Sequence, residues 1–164
     1  MNNNKTLVVY YSYTGHTKMI AELIKNKLDC DILELKPVKE YSKDYNTVVY
    51  QEQNNEGNSK VVEIEKNVVN LADYDKIILG TPVWWYGITP VIRTFLKEND
   101  LTKKIIIPFT TNAGWLGHTF KDIEKLCPDL VIKDEMDIVF TQDYSEKQLV
   151  TEPTTIDKWL DKLI

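Results

Sequence analysis

The stretch Thr6-Leu7-Val8-Val9-Tyr10-Tyr11-Ser12-Tyr13-Thr14-Gly15-His16-Thr17 decides how this chain folds. It opens as a continuous apolar run, Thr6–Tyr11, which suits a strand covered on both faces. Ser12–Thr17 then supplies small, hydroxyl-bearing, turn-prone residues. Beyond it, Ile20, Leu23, Ile24 and Leu28 recur at the spacing of an amphipathic helix. A buried strand, a polar loop and a helix in that order make the first half of a βαβ unit.

The same order repeats along the chain. Ile32–Leu35, Lys76–Gly80 and Lys104–Phe109 read as further strands. A fifth is expected within Leu130–Phe140, where Lys133-Asp134-Glu135 interrupts the apolar Val131, Ile138 and Val139. Helical stripes fall at Val91, Ile92, Phe95 and Leu96, with Pro90 at the first helical position, and at Leu116, Phe120, Ile123 and Cys127, stopped by Pro128. A last stripe, Ile156, Trp159, Leu160 and Leu163, follows Pro153. The segment Pro37–Asn70 is harder to read. Tyr41–Gly57 is polar and turn-rich, a helix fits near Asn46–Gln53, and Val61–Glu65 fits either an extended or a helical form. The pattern is that of one α/β domain over residues 1–164.

Composition excludes several classes. With 43% hydrophobic and 27% charged residues, the chain can bury a core and is not disordered. Twenty Lys and Arg against 25 Asp and Glu leave a net charge of −5, which argues against a nucleic-acid or anionic-membrane footprint. No apolar run approaches the roughly 18 residues of a membrane span. The N-terminus has no signal-peptide pattern, and Cys30 and Cys127 form neither a C-x-x-C motif nor a disulfide framework. The expectation is a soluble, cytoplasmic protein. Both cysteines read as packing residues at element ends, His118 as a first-turn helix residue, and Arg93 and Lys97 as the outer face of a helix. The acidic scatter from Asp122 to Glu146 is interleaved with lysines and reads as a solvated face.

In open α/β sheets, ligands bind beyond the carboxyl ends of the strands. Five of the six glycines (Gly15, Gly80, Gly87, Gly114, Gly117) and three of the four tryptophans (Trp84, Trp85, Trp115) fall at three such ends. In the first loop, Ser12–Thr17, hydroxyls and a helix N-terminus make a phosphate cradle, or else a plain helix cap. It is neither a Walker loop nor a G-x-G-x-x-G turn. The second, Gly80-Thr81-Pro82-Val83-Trp84-Trp85-Tyr86-Gly87, holds three successive aromatics. They either cover a flat conjugated ligand or seal the sheet edge. The third, Thr110-Thr111-Asn112-Ala113-Gly114-Trp115-Leu116-Gly117, offers backbone N–H groups and the Asn112 amide to the polar edge of a ring, or is an ordinary connection. One phosphate cradle and two planar-ligand loops on one edge fit flavin mononucleotide, FMN.

The segment Val8–Ile24, with Ser12, Gly15, Thr17 and Ala21 as its key steps, resembles the flavodoxin signature. Tyr74-Asp75, Gly80–Trp85, Phe95-Leu96, Tyr41…Asp44-Tyr45 and Trp159-Leu160 resemble a bacterial subgroup of that family. The resemblance implies a flavodoxin-like three-layer sandwich, with a five-stranded parallel sheet in the order 2-1-3-4-5 and noncovalent FMN at its carboxyl edge. Ser12, Tyr13, Thr14, Gly15, His16 and Thr17 would form the phosphate loop, His16 acting through its backbone N–H. Thr81, Pro82, Val83, Trp84, Trp85 and Gly87 would line the isoalloxazine. Thr111, Asn112, Ala113 and Gly114 would meet its other side or its pyrimidine edge. The third loop departs from the Thr-Ser-Gly-Gly-Ser of the subgroup. Ala113 tolerates positive φ poorly and Trp115 is far bulkier than Ser, so a different path is expected.

Two functions follow from such a site. A soluble low-potential electron carrier would need no catalytic side chain, would exchange electrons with a reductase and an acceptor protein, and would be a monomer or weak dimer. The net negative charge would steer a basic partner and, with the stacked aromatics, lower the flavin potential. The alternative is an FMN-dependent NAD(P)H:quinone or azo reductase on the same fold. A binding module that has lost its cofactor is the third reading, opposed by the intact Ser12–Thr17 loop and Trp84-Trp85.

Overall fold

A computed structural model describes residues 5–53 and 62–164. In chain order the elements are β1 (Thr6–Tyr10), α1 (His16–Leu28), β2 (Asp31–Glu34), α2 (Tyr45–Gln53), a 3₁₀ turn (Leu71–Asp73), β3 (Lys76–Pro82), α3 (Pro90–Glu98), β4 (Ile105–Asn112), α4 (Thr119–Leu126), β5 (Val131–Ile132), β6 (Met136–Val139) and α5 (Pro153–Leu163). The strands form one parallel sheet in the order β2-β1-β3-β4-β5, with β6 also paired to β4.

Alternation along the central strands explains why their sequences are apolar throughout. Successive side chains point to opposite faces, and both faces are covered. Leu7, Val9, Ile77 and Leu79 pack with Val91, Ile92 and Phe95 of α3 and Ile123 of α4. Val8, Tyr10, Ile78 and Ile107 pack with Ile20, Ala21 and Ile24 of α1 and Ile156, Trp159 and Leu160 of α5. The result is the expected three layers. Each fully buried Leu, Ile or Val contributes about 1.5–3 kcal/mol, so the two clusters hold the sheet rigidly beneath its loops.

Two expectations are corrected here. The fifth position of the sheet is filled by two short strands, not one. Ile132 pairs with Ile106, and Met136 with Phe109, so Lys133–Glu135 face only Ile107 and Pro108. The Ile106 and Asn112 carbonyls accept Lys133 N–H and Phe140 N–H, so even-numbered β4 residues face this edge. Pro108 has no N–H to give there, and the opposite chain bulges, with Asp134 at φ 53°. The α4 stripe also begins later than the spacing suggests: Leu116 precedes the helix, which starts at Thr119.

The segment that was hardest to read is resolved in part. Its helix is α2, and Ile64 is extended, bridging Pro37 in antiparallel sense; residues 54–61 lie outside the described set. Strands β3 and β4 run past Gly80 and Phe109, because Thr81 pairs with Thr110 and Pro82 with Thr111. The carboxyl ends of β1, β3 and β4 therefore lie side by side where the chain order reverses between β1 and β3, which is where such sheets bind ligands.

Candidate functional site

The first loop leaves the end of β1 and enters α1 through Gly15, whose φ of 98° is left-handed. Gly15 is the N-cap and has no side chain to cap with. Ser12 does that work from three residues back, its Oγ accepting the N–H groups of Gly15 and Lys18, each at 3.2 Å. The N–H groups of His16 and Thr17 have no protein partner among the described residues, and the first turn of α1 has no acidic residue. They form an uncompensated positive helix end.

The His16 imidazole is fully engaged. It stacks on Phe140 at 4.3 Å between centroids and 17° between planes. Its Nε2 lies 3.2 Å from the Glu146 carbonyl, and its Nδ1 3.2 Å from Thr14 Oγ1. A carbonyl only accepts, so Nε2 carries the proton and, in the neutral ring, Nδ1 accepts from the Thr14 hydroxyl. Thr17 is buried, and its hydroxyl shares a 2.7 Å hydrogen bond with that of Thr111.

The second loop makes a two-residue reversal. Trp84 and Gly87 exchange both backbone hydrogen bonds at 3.0 Å, with Trp85 at φ 48° and Tyr86 at φ 62°. Positive φ at both central positions is the signature of a type I′ turn, which normally takes Asn-Gly. Here two large aromatics occupy it, so the backbone is strained. The third loop braces the turn. His118 N–H donates to the Tyr86 carbonyl at 2.7 Å. Gly117 sits so close that a Cβ there would come within 2.3 Å of Tyr86 O. Asp122 accepts Ile88 N–H at 3.2 Å and pairs with His118 Nδ1 at 2.8 Å. His118 is thus the N-cap residue of α4 and a prop for the second loop.

Trp84 and Trp85 have different surroundings. Trp84 is wedged edge-on among Tyr11, Tyr13 and Tyr41, at centroid distances of 5.8, 5.8 and 5.0 Å. Trp85 makes no ring contact with another described aromatic. In the third loop the strain expected at Ala113 does not arise, because Gly114 carries the positive φ, at 117°. Asn112 closes that turn: its Oδ1 accepts Gly114 N–H at 2.8 Å, while its Nδ2 donates to Asp137. The amide is therefore held by the protein, and Trp115, though 55% exposed, lines the cavity between the loops.

Together the three loops enclose a cavity of about 270 Å³. Its wall includes Tyr13, Thr14 and His16 from the first loop, Pro82, Val83, Trp84 and Trp85 from the second, and Thr111, Asn112 and Ala113 from the third. Ser12, Gly15, Thr17, Thr81, Gly87 and Gly114 are not on this wall. The first three build the start of α1. Thr81 is buried and donates to Pro82 O, and Gly87 lies beneath Asp122 and His118.

Sequence reasoning missed part of the wall: Tyr45, Val48 and Val49 of α2, Tyr86, Phe140, Thr141 and Tyr144. Tyr45 stacks on Tyr144 at 4.4 Å and 29°. Burial, with the Tyr144 hydrogen bond behind it, pushes the Tyr45 phenol well above the usual range. Burial likewise raises Tyr13, with Asp44 adding to it. An aromatic in a polar, turn-rich stretch was the available signal for both Tyr45 and Tyr144. Among the described residues no Asp, Glu, Lys, Arg or Cys lines the cavity, and no described cluster of His, Cys, Asp or Glu could hold a metal. No helix among the described residues is long and apolar enough to cross a membrane.

This arrangement, with an anion-ready helix start beside an aromatic slot, agrees with the comparison of the sequence with known families. The family model for flavodoxin matches residues 5–154. The chain belongs to the flavodoxin family. Among solved structures, this flavodoxin-family chain is similar to a Bacteroides eggerthii protein assigned to the flavoproteins. That match has 28% identity, 98% coverage of each chain and a TM-score of 0.78. It shares its fold with a Lactobacillus acidophilus flavoprotein solved in complex with FMN, at 22% identity, 95% and 98% coverage and a TM-score of 0.67. It also shares its fold with the oxidised flavodoxin 1 of Bacillus cereus, at 17% identity, 96% and 93% coverage and a TM-score of 0.55. Comparison with curated proteins gives no match.

Proposed function

We propose that this protein binds FMN noncovalently at the three loops and works as an electron carrier. One observation carries the choice of carrier over NAD(P)H:quinone or azo reductase: among the described residues the cavity wall offers ring faces and neutral polar groups but no free acid or base.

The residues present fit FMN. The unpartnered N–H groups of His16 and Thr17, with the Ser12 hydroxyl, suit a phosphate at the start of α1. Trp85, free of other rings, is the side chain to cover one isoalloxazine face, and the Asn112–Gly114 turn presents backbone to its polar edge. Bound FMN would supply one- and two-electron redox chemistry. The side chains orient the ring, exclude water and present neutral phenols to it: Tyr13 and Tyr45 are un-ionised at pH 7 as any phenol is, and burial moves both further from ionisation. The net charge of −5 favours a basic redox partner, with salt-dependent association.

The test is anaerobic reduction of the flavin-loaded protein by NADPH. The carrier reading expects slow bleaching by NADPH alone and fast bleaching once a flavodoxin reductase is added in trace amount. Fast reduction by NADPH alone, with steady turnover of a quinone or azo dye, overturns it.

A further inference from the structure

We propose that Lys147, on a hairpin far from the first loop in sequence, is the cation that recognises the FMN phosphate; this rests on the reading above that FMN occupies the site. The chain from β6 to α5 does not go straight across. Phe140 and Leu149 bridge in antiparallel sense, and Thr141 N–H donates to Gln148 O at 2.9 Å, making a hairpin. Its tip is fixed by Asp143, which accepts both the N–H and the hydroxyl of Ser145 at 3.0 and 2.6 Å. The hairpin lies over the start of α1, where the Glu146 carbonyl meets His16 Nε2 at 3.2 Å.

The next residue, Lys147, is thereby aimed at the cradle. A Cβ built on Gly15 would stand 3.0 Å from Lys147 Cε and 3.1 Å from its Nζ. No carboxylate among the described residues pairs with this ammonium. It sits instead beside the positive, unpartnered end of α1, whose first turn holds no acid. An anion placed between these two positive ends would be attracted by both. A phosphate there would accept from the His16 and Thr17 N–H groups on one side and from Lys147 on the other, in charge-assisted hydrogen bonds. Ser12–Thr17 itself contributes no other free cation, since the His16 ring is bonded at both nitrogens.

The experiment compares FMN with riboflavin, which has the same ring and no phosphate. The full-length chain, stripped of flavin, is titrated with each by fluorescence quenching at low and high salt, as wild type, Lys147→Gln and Lys147→Arg. Lys147→Gln is expected to weaken FMN on the order of tenfold, to leave riboflavin unchanged and to flatten the salt dependence for FMN. Lys147→Arg is expected to retain FMN preference, and circular dichroism should be the same for all three. An unchanged FMN-to-riboflavin ratio in Lys147→Gln overturns the role of Lys147 alone. A wild-type chain that takes up neither flavin overturns the FMN reading and this inference with it.

Discussion

The hydroxyls of Thr17, in the first turn of α1, and Thr111, near the end of β4, share a buried hydrogen bond of 2.7 Å. It ties the first loop to the third across the sheet, so the helix start and the ring slot are positioned by one contact. Thr17→Val leaves the Thr111 hydroxyl unpartnered in a buried place, which costs about 1–3 kcal/mol. In chemical denaturation the double variant Thr17→Val, Thr111→Val should lose less than the sum of the two singles. Strict additivity would mean that the two hydroxyls do not depend on each other.

Trp84 and Trp85 are adjacent in sequence and should behave oppositely. Trp84 is held among three tyrosines, so Trp84→Ala should lower stability by about 3 kcal/mol. Trp85→Ala should barely change stability and should relieve the quenching of bound FMN fluorescence. Thermal melts and emission spectra of the two variants separate these roles; an exchange of the two effects would reverse the assignment.

The Trp84–Gly87 turn stores strain because Tyr86 holds φ at 62°. Tyr86 is half exposed, so Tyr86→Gly loses little packing and relieves the left-handed backbone. The expected outcome is a gain of roughly 1 kcal/mol in unfolding free energy. A loss would show that packing of Tyr86 on Gly117 outweighs the strain.

Tyr74 O–H donates to Asp31 Oδ2 at 2.7 Å. That hydrogen bond, then burial and the Asp31 charge, push the phenol up to about 12. A phenol ionises near 10 in an unfolded chain, so the folded value is the higher. The contact therefore stabilises fully below about pH 10 and is lost as pH rises through the folded value. Unfolding free energies between neutral and strongly alkaline pH should fall more steeply for wild type than for Tyr74→Phe. Parallel curves would remove Tyr74 from the alkaline transition.

The layers were legible because buried parallel strands need apolar residues on both faces, as in Thr6–Tyr10 and Lys76–Leu79; the strand order came only with the resemblance of Val8–Ile24 to the flavodoxin signature. The break in the fifth strand was not. Its cause, the missing N–H of Pro108, sits in the neighbouring strand, where no local pattern of residues 130–140 reports it. The three loops were found through their glycines and tryptophans. Which ring is free was not legible, since Trp84 is claimed by Tyr11 and Tyr13 just past the end of β1 and by Tyr41 of a separate segment. Tyr45 and Tyr144 lie about 100 residues apart in polar stretches, and only tertiary pairing brings them together. Lys147 carries no local signal at all, being one exposed lysine among many.

The most direct measurement is an anaerobic dithionite titration of the purified, FMN-loaded protein followed in the visible. An electron carrier in a neutral aromatic slot should accept its two electrons in two resolved one-electron steps. A single concerted two-electron step would contradict the carrier account, and a chain that stays colourless after addition of FMN would contradict the site itself.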